Sequence, residues 1–347
     1  MASVVRVAAV QAEPKWLNLD EGVAQVVDFI GQAAAGGAQL VAFPEVFIPG
    51  YPWWIWLDSP AWGMQFVPRY AQNSMTRDGE HITTIAAAAA EHQVHVVFGF
   101  SERSGGSLYM AQAIIDDGGH IVSVRRKLKP THVERSVFGE GDGSDIRVHD
   151  TALGRLGALN CAEHIQPLTK YAMFSMGEQI HVASWPSFSI YRGAARALSA
   201  EVNNAVTLTY AVEGQTFVVA PCATVGTAGQ DLFCDSDAKR QLLLVGGGFT
   251  QIYGPEGSSL AEPLPETDEG LVFADLDFDL LDIAKSAYDP VGHYSRPDVF
   301  RLLFNPQPTP RIQHTVDMSP FPSVSDSAGT EDTPGLDTAP TAVALVE

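Results

Sequence analysis

The order of apolar and polar positions changes period several times along the chain. Residues 4–10 form an apolar run of strand composition. Val23, Val26, Val27, Ile30, Ala33 and Ala34 then recur at helical spacing, with Asp20 as a cap and Gly36-Gly37 as a stop. Residues 39–43 read as a short strand, 82–92 as an alanine-rich helix and 94–100 as another strand. Asp116-Asp117-Gly118-Gly119 separates the apolar runs 111–115 and 121–124, a hairpin signal. Further strands are predicted at 156–160, 180–183, 216–220, 242–253 and 271–276, and a helix over 192–210. Helices and strands alternate with hairpins mixed in. That predicts an α/β protein with a mixed rather than purely parallel sheet.

Residues 1–305 show no internal repeat and no linker, and read as one domain of catalytic size. Residues 306–347 read as a C-terminal extension. From Asp317 to Glu347 it carries six acids and no Lys or Arg, among Pro, Ser, Thr and Ala, a composition that predicts disorder.

Composition narrows the function. With 347 residues, 46% of them hydrophobic and 18% charged, the chain can bury a sizeable core. The 21 basic against 41 acidic residues give −20, which argues against a nucleic-acid partner or an anionic membrane surface. No apolar stretch reaches the length of a membrane helix, and the N-terminus lacks the charged and apolar regions of a signal peptide. Cys161, Cys222 and Cys234 are odd in number and form no CxxC pair, so neither a disulfide framework nor a structural zinc site is expected, and a reducing cytoplasm fits.

Three positions stand out chemically. Cys161 ends a predicted strand and precedes a helical stretch, where backbone N–H groups favour thiolate and oxyanion alike. Its plain alternative is an inert packed cysteine, which is the reading for Cys222 and Cys234. Glu45 follows Phe43-Pro44 at the C-terminal end of a short strand, where ligands gather in α/β sheets, and its apolar neighbours suit a general base; an exposed loop glutamate would carry the same letters. Lys127 lies in the basic stretch 125–135, which reads as a solvated face unless Lys127 is buried with Glu134 as partner. His164, three residues after Cys161, reads as structural or as a support behind the cysteine, and the histidines show no metal-ligand spacing.

Taken together, Phe43-Pro44-Glu45, Arg126-Lys127 and Asn160-Cys161-Ala162-Glu163-His164 resemble the Glu–Lys–Cys signature of the nitrilase, or carbon–nitrogen hydrolase, superfamily. The segments 127–135, 138–143, 183–186 and 288–298 resemble the nitrilase branch itself, arylacetonitrilase-like, in colinear order over roughly residues 4–305. The resemblance implies a four-layer α-β-β-α sandwich that associates through a dimer into homo-oligomers, including spirals or filaments. It implies Cys161 as nucleophile, Glu45 as general base, Lys127 rather than Lys129 as stabiliser of the tetrahedral intermediate, and Glu134 as second carboxylate. No metal or organic cofactor is implied, and the partner is a small nitrile. Substrate contacts are expected from Tyr51, Trp56, His132, Ala162 and Trp185. The branch usually carries Trp directly after the nucleophile; here it is Ala162, which should widen the pocket beside Cys161. An amidase or carbamoylase, a cyanide-converting nitrilase and a non-catalytic oligomeric scaffold are the alternatives.

Overall fold

The computed structural model describes residues 4–309. Among the described residues twelve strands form two mixed sheets. The first contains β1 (Val4–Gln11), β2 (Leu40–Ala42), β3 (His95–Ser104), β4 (Ser107–Ile115), β5 (Ile121–Arg126) and β12 (Gly270–Asp277), in the order β12-β1-β2-β3-β4-β5, with β6 (Phe138–Gly139) paired to β4. The second contains β7 (Val148–Thr151), β8 (Gly154–Asn160), β9 (Ile180–Ser184), β10 (Phe217–Ala220) and β11 (Gln251–Tyr253), in the order β11-β10-β9-β8-β7. The strands β1, β2 and β3 are mutually parallel, as are β8, β9 and β10, while hairpin partners run antiparallel.

The layers follow from strand alternation. On β1, Val5, Val7 and Ala9 pack with Leu156, Ala158, Val182 and Val219 of the second sheet, forming the central core. Ala8 and Val10 point the other way, against helix Leu19–Ala35 and helix Glu80–His92. The second sheet's outer residues, Leu159, Ala183 and Val218, pack with Met173, Phe174, Tyr210 and Ala211 from helix Pro167–Ser175 and helix Ala200–Gly214. The result is the α-β-β-α sandwich. A strand buried on both faces shows no polar alternation, which explains the continuous apolar run at β1.

Local chemistry moves some boundaries. Helix Leu19–Ala35 is capped by Asn18, whose side chain accepts from the Glu21 amide, whereas Asp20 lies in the first turn and contacts His81. The helix predicted from 192 begins at Ala200, because the Ser199 side chain accepts from the Val202 amide there. The strand predicted over 242–253 survives only at β11. Gly246 and Gly247 adopt φ of 101° and 82°, and Ser187 and Ser189 donate to the Gly246 carbonyl, so the apolar letters before β11 build a pinned loop. The hairpin at 116–119 forms as expected: Asp116 accepts from the Gly118 and His120 amides.

Among the described residues no helix is long and apolar enough to cross a membrane. Those residues fall in one compact unit; the expectation of a disordered acidic tail lies outside the described residues.

Candidate active site

Four side chains converge where strands of both sheets end. Glu45 follows β2, Lys127 follows β5, Cys161 follows β8 and Trp185 follows β9. The sheets are tied together nearby: the Gln112 amide donates to Ser184 Oγ (2.8 Å), and Ser184 Oγ donates to the Phe43 carbonyl (2.8 Å). Glu45 is set by a tight bend. Val46 takes φ +45°, and a Cβ at Gly99 on β3 would lie 2.5 Å from the Pro44 oxygen and 2.6 Å from the Val46 nitrogen. Only a glycine on β3 admits this approach.

Lys127 is fully buried and joins both carboxylates. Its Nζ donates to Glu45 Oε1 and to Glu134 Oε2, each at 2.8 Å. Glu134 is held from its other side as well: the Tyr51 hydroxyl donates to Oε1 (2.7 Å) and the Thr131 amide to Oε2 (2.5 Å). Trp56 Nε1 donates in turn to the Tyr51 hydroxyl (3.0 Å). Glu45 has less support. Its Oε2 is buried and makes no hydrogen bond among the described residues. Lys129, by contrast, is half exposed and pairs with Glu140 at the surface.

Burial pushes the Glu45 carboxyl up to about 8; Lys127 opposes that rise and Glu134 adds to it. Burial works against the Lys127 ammonium, yet Glu134 and Glu45 outweigh it and hold its pKa above the ordinary value. Burial, then the charge of Glu45, raise the Cys161 thiol well above its usual value, with Lys127 opposing them. A thiol, a carboxyl and a carboxylate therefore share one buried cation, and proton movement among them is coupled.

Cys161 opens a short 3-10 turn, Cys161–Ile165, with φ +45°. A non-glycine residue there costs about 1–2 kcal/mol and needs neighbours that over-determine it. Glu163 is one. Arg125 grips it in a buried pair at 2.9 and 2.6 Å, and its oxygens accept from the amides of Leu128 and Asn160, each at 2.8 Å. One carboxylate thus fixes the residue after Lys127 and the residue before Cys161. Burial would raise this carboxyl, but Arg125 and the two amides hold it below the usual range.

Cys161 and Glu134 open onto a cavity of about 210 Å³, otherwise lined mainly by apolar side chains, with Thr131, Ser187 and Asn203 as the polar exceptions. Of the expected substrate contacts, Tyr51, Trp56, Ala162 and Trp185 line it. His132 does not: its ring stacks on Trp56 at 5.4 Å and faces a second recess of about 340 Å³. Ala162 borders both spaces. Trp53, Phe188, Ile190 and Leu198 also line the cavity; nothing in the local sequence separates the last three from core. Among the described residues no cluster of His, Cys, Asp and Glu is arranged to hold a metal ion.

Residues 6–285 match the carbon-nitrogen hydrolase family, and the chain belongs to it. It is 55% identical to a nitrilase of Pseudomonas syringae pv. syringae (strain B728a), over 94% of this chain and 96% of that protein. It is 53% identical to an aliphatic nitrilase of Rhodococcus rhodochrous, covering 90% and 85% of the two chains, and 47% identical to an arylacetone-specific nitrilase of Alcaligenes faecalis, covering 87% and 85%. The crystal structure of a carbon-nitrogen hydrolase from Helicobacter pylori G27 shares the fold, with a TM-score of 0.67, 16% identity and coverage of 85% and 96%.

Proposed function

We propose that this protein hydrolyses nitriles to carboxylic acid and ammonia through covalent catalysis at Cys161. The observation that carries the reading is the fully buried Lys127 bridging Glu45 and Glu134 beside a half-buried cysteine at an apolar cavity. Glu45 acts as general base: its free Oε2 is the oxygen that can take the thiol proton while Lys127 holds Oε1. Sulfur adds to the nitrile carbon and the proton ends on nitrogen, giving a thioimidate. Water, deprotonated by Glu45, adds to that carbon. Lys127 and backbone N–H groups stabilise the charge that develops in the tetrahedral intermediate. Loss of ammonia leaves a thioester, which a second water hydrolyses to the acid and the free thiol. Loss of the thiolate instead releases an amide. Glu134, the second acceptor on Nζ, keeps Lys127 aligned.

For substrate, the cavity supports a compact apolar nitrile, aryl-aliphatic in type. Its volume of about 210 Å³ lies below the roughly 300–1,000 Å³ of drug-sized sites. Aromatic walls from Tyr51, Trp53, Trp56 and Trp185 suit one ring. The relatives bear both aliphatic and arylacetone-specific names, so a straight-chain nitrile is the comparison that decides. Ala162 leaves open the wall next to Cys161, and a tilt of the intermediate there favours some release of amide. A change of about 1.4 kcal/mol shifts that branching tenfold. Phenylacetonitrile, mandelonitrile and valeronitrile should be incubated with the protein while acid, amide and ammonia are measured together. Acid and ammonia, fastest from the aryl compounds, are expected. An amide fraction unchanged in Ala162→Trp would defeat the role given to Ala162. Hydrolysis of the matching amides but of no nitrile would defeat the main reading.

A further inference from the structure

Four buried side chains that the chemistry above does not use form a line ending on the Cys161 backbone. The Tyr210 hydroxyl donates to Glu178 Oε2 (2.7 Å). Glu178 Oε1 lies 2.7 Å from His181 Nδ1, His181 Nε2 lies 2.8 Å from His164 Nε2, and His164 Nδ1 lies 2.7 Å from the Cys161 carbonyl oxygen. The members come from the turn before β9, from β9, from the turn after β8 and from helix Ala200–Gly214. The fold makes room for them. A Cβ at Gly157 on β8 would meet Glu178 Oε1 at 1.9 Å. His164 also stacks on Trp185, a wall of the cavity, at 5.3 Å.

The proton count follows from chemistry. A carbonyl only accepts, so His164 Nδ1 carries a hydrogen. Burial keeps both imidazoles neutral, so His164 Nε2 is then an acceptor and His181 Nε2 must donate to it. That leaves His181 Nδ1 as an acceptor facing Glu178, which donates only if protonated. The three hydrogen bonds need three protons and a cluster of zero net charge; adding or removing one breaks a link. Burial agrees with this: it raises Glu178 to about 8 and lowers His164 to about 3 and His181 well below its ordinary value. The other charges acting on the histidines, Arg125 and Glu163, are paired with each other and largely cancel.

We propose that Glu178 as a carboxylic acid, His181 and His164 are positioning residues that hold the Cys161 carbonyl, and through it the thiol, in the φ +45° geometry the covalent step requires. This rests on Cys161 being the nucleophile. None of the three lines the cavity beside Cys161.

The test compares Glu178→Gln with Glu178→Leu. The amide of Gln donates to His181 and its oxygen accepts from Tyr210, so the line survives; Leu keeps the volume but breaks it. We expect kcat within threefold of the parent for Glu178→Gln, and a fall of more than tenfold for Glu178→Leu with KM changed less than threefold. The alkaline decline of kcat should move upward in Glu178→Gln, because an amide cannot lose that proton. Iodoacetamide alkylation of Cys161 should follow the same ranking, and it needs no nitrile. A parent that turns over no nitrile would therefore defeat the proposed function without touching this comparison. Should Glu178→Leu fail to fold, His164→Asn places an N–H where Nδ1 stands and His164→Gln where Nε2 stands; Asn should keep at least threefold more activity. Equal activity of that pair, a Glu178→Gln as damaged as Glu178→Leu, or a harmless Glu178→Leu would each overturn the proposal.

Discussion

Replacing Lys127 by Met isolates the electrostatics of the site. The side chain keeps its length and loses its charge, so Glu134 is left as a buried anion and Glu45 loses its hydrogen-bond donor. At 2.8 Å and an effective dielectric of about 20, the Lys127–Glu134 contact amounts to roughly 6 kcal/mol of attraction. Part of that only offsets the cost of burying Lys127, so removing one partner of such a cluster typically costs about 3–5 kcal/mol. Against a total stability of about 5–15 kcal/mol this is severe. Urea unfolding followed by tryptophan fluorescence at pH 7 and fixed protein concentration measures it. The double variant Lys127→Met/Glu134→Gln removes the stranded anion as well and should recover at least about 1 kcal/mol of the loss. Turnover should not recover, since the proposed stabiliser of the tetrahedral intermediate is still missing; a fall in kcat of about 10²–10³ is expected. A Lys127→Met protein that loses less than about 1 kcal/mol, or a double variant no better than the sum of the singles, would refute the reasoning.

Other outcomes follow from the same geometry. Glu45 is raised to about 8 by burial with Glu134 adding to the rise, so kcat/KM should increase with pH as Glu45 ionises; Glu134→Gln removes a negative charge and should shift that limb to lower pH, and a shift upward would contradict the cause named. Gly99→Ala drives a Cβ into the bend that carries Glu45 and should cost about 1–3 kcal/mol, with at least a tenfold loss of kcat; activity within twofold of the parent would show that the bend can yield. Deletion of residues 318–347 should leave turnover intact, and a folded but inactive truncation would refute this.

Much of this site was legible because chemistry in α/β sheets gathers at strand ends. Glu45 and Cys161 could be placed there from the apolar runs before them. Lys127 could not be separated from a solvated basic stretch by local letters, because its burial is set by Glu45, which is 82 residues away, as much as by Glu134. The two sheets were harder still: a run such as 4–10 states that both faces are covered, not by what. Loop 242–250 misled because its apolar residues fill space beside glycines of positive φ rather than pair as a strand. His181 and Glu178 gave one unused signal, two ionisable residues at the head of an otherwise apolar strand.

The most direct measurement is mass analysis of the Cys161 peptide after acid quench during turnover of phenylacetonitrile. The parent should carry a substrate-derived adduct on Cys161, and Cys161→Ala should show neither adduct nor turnover. Nitrile hydrolysis by Cys161→Ala, or an adduct that forms on Cys222 or Cys234 instead, would contradict covalent catalysis at Cys161.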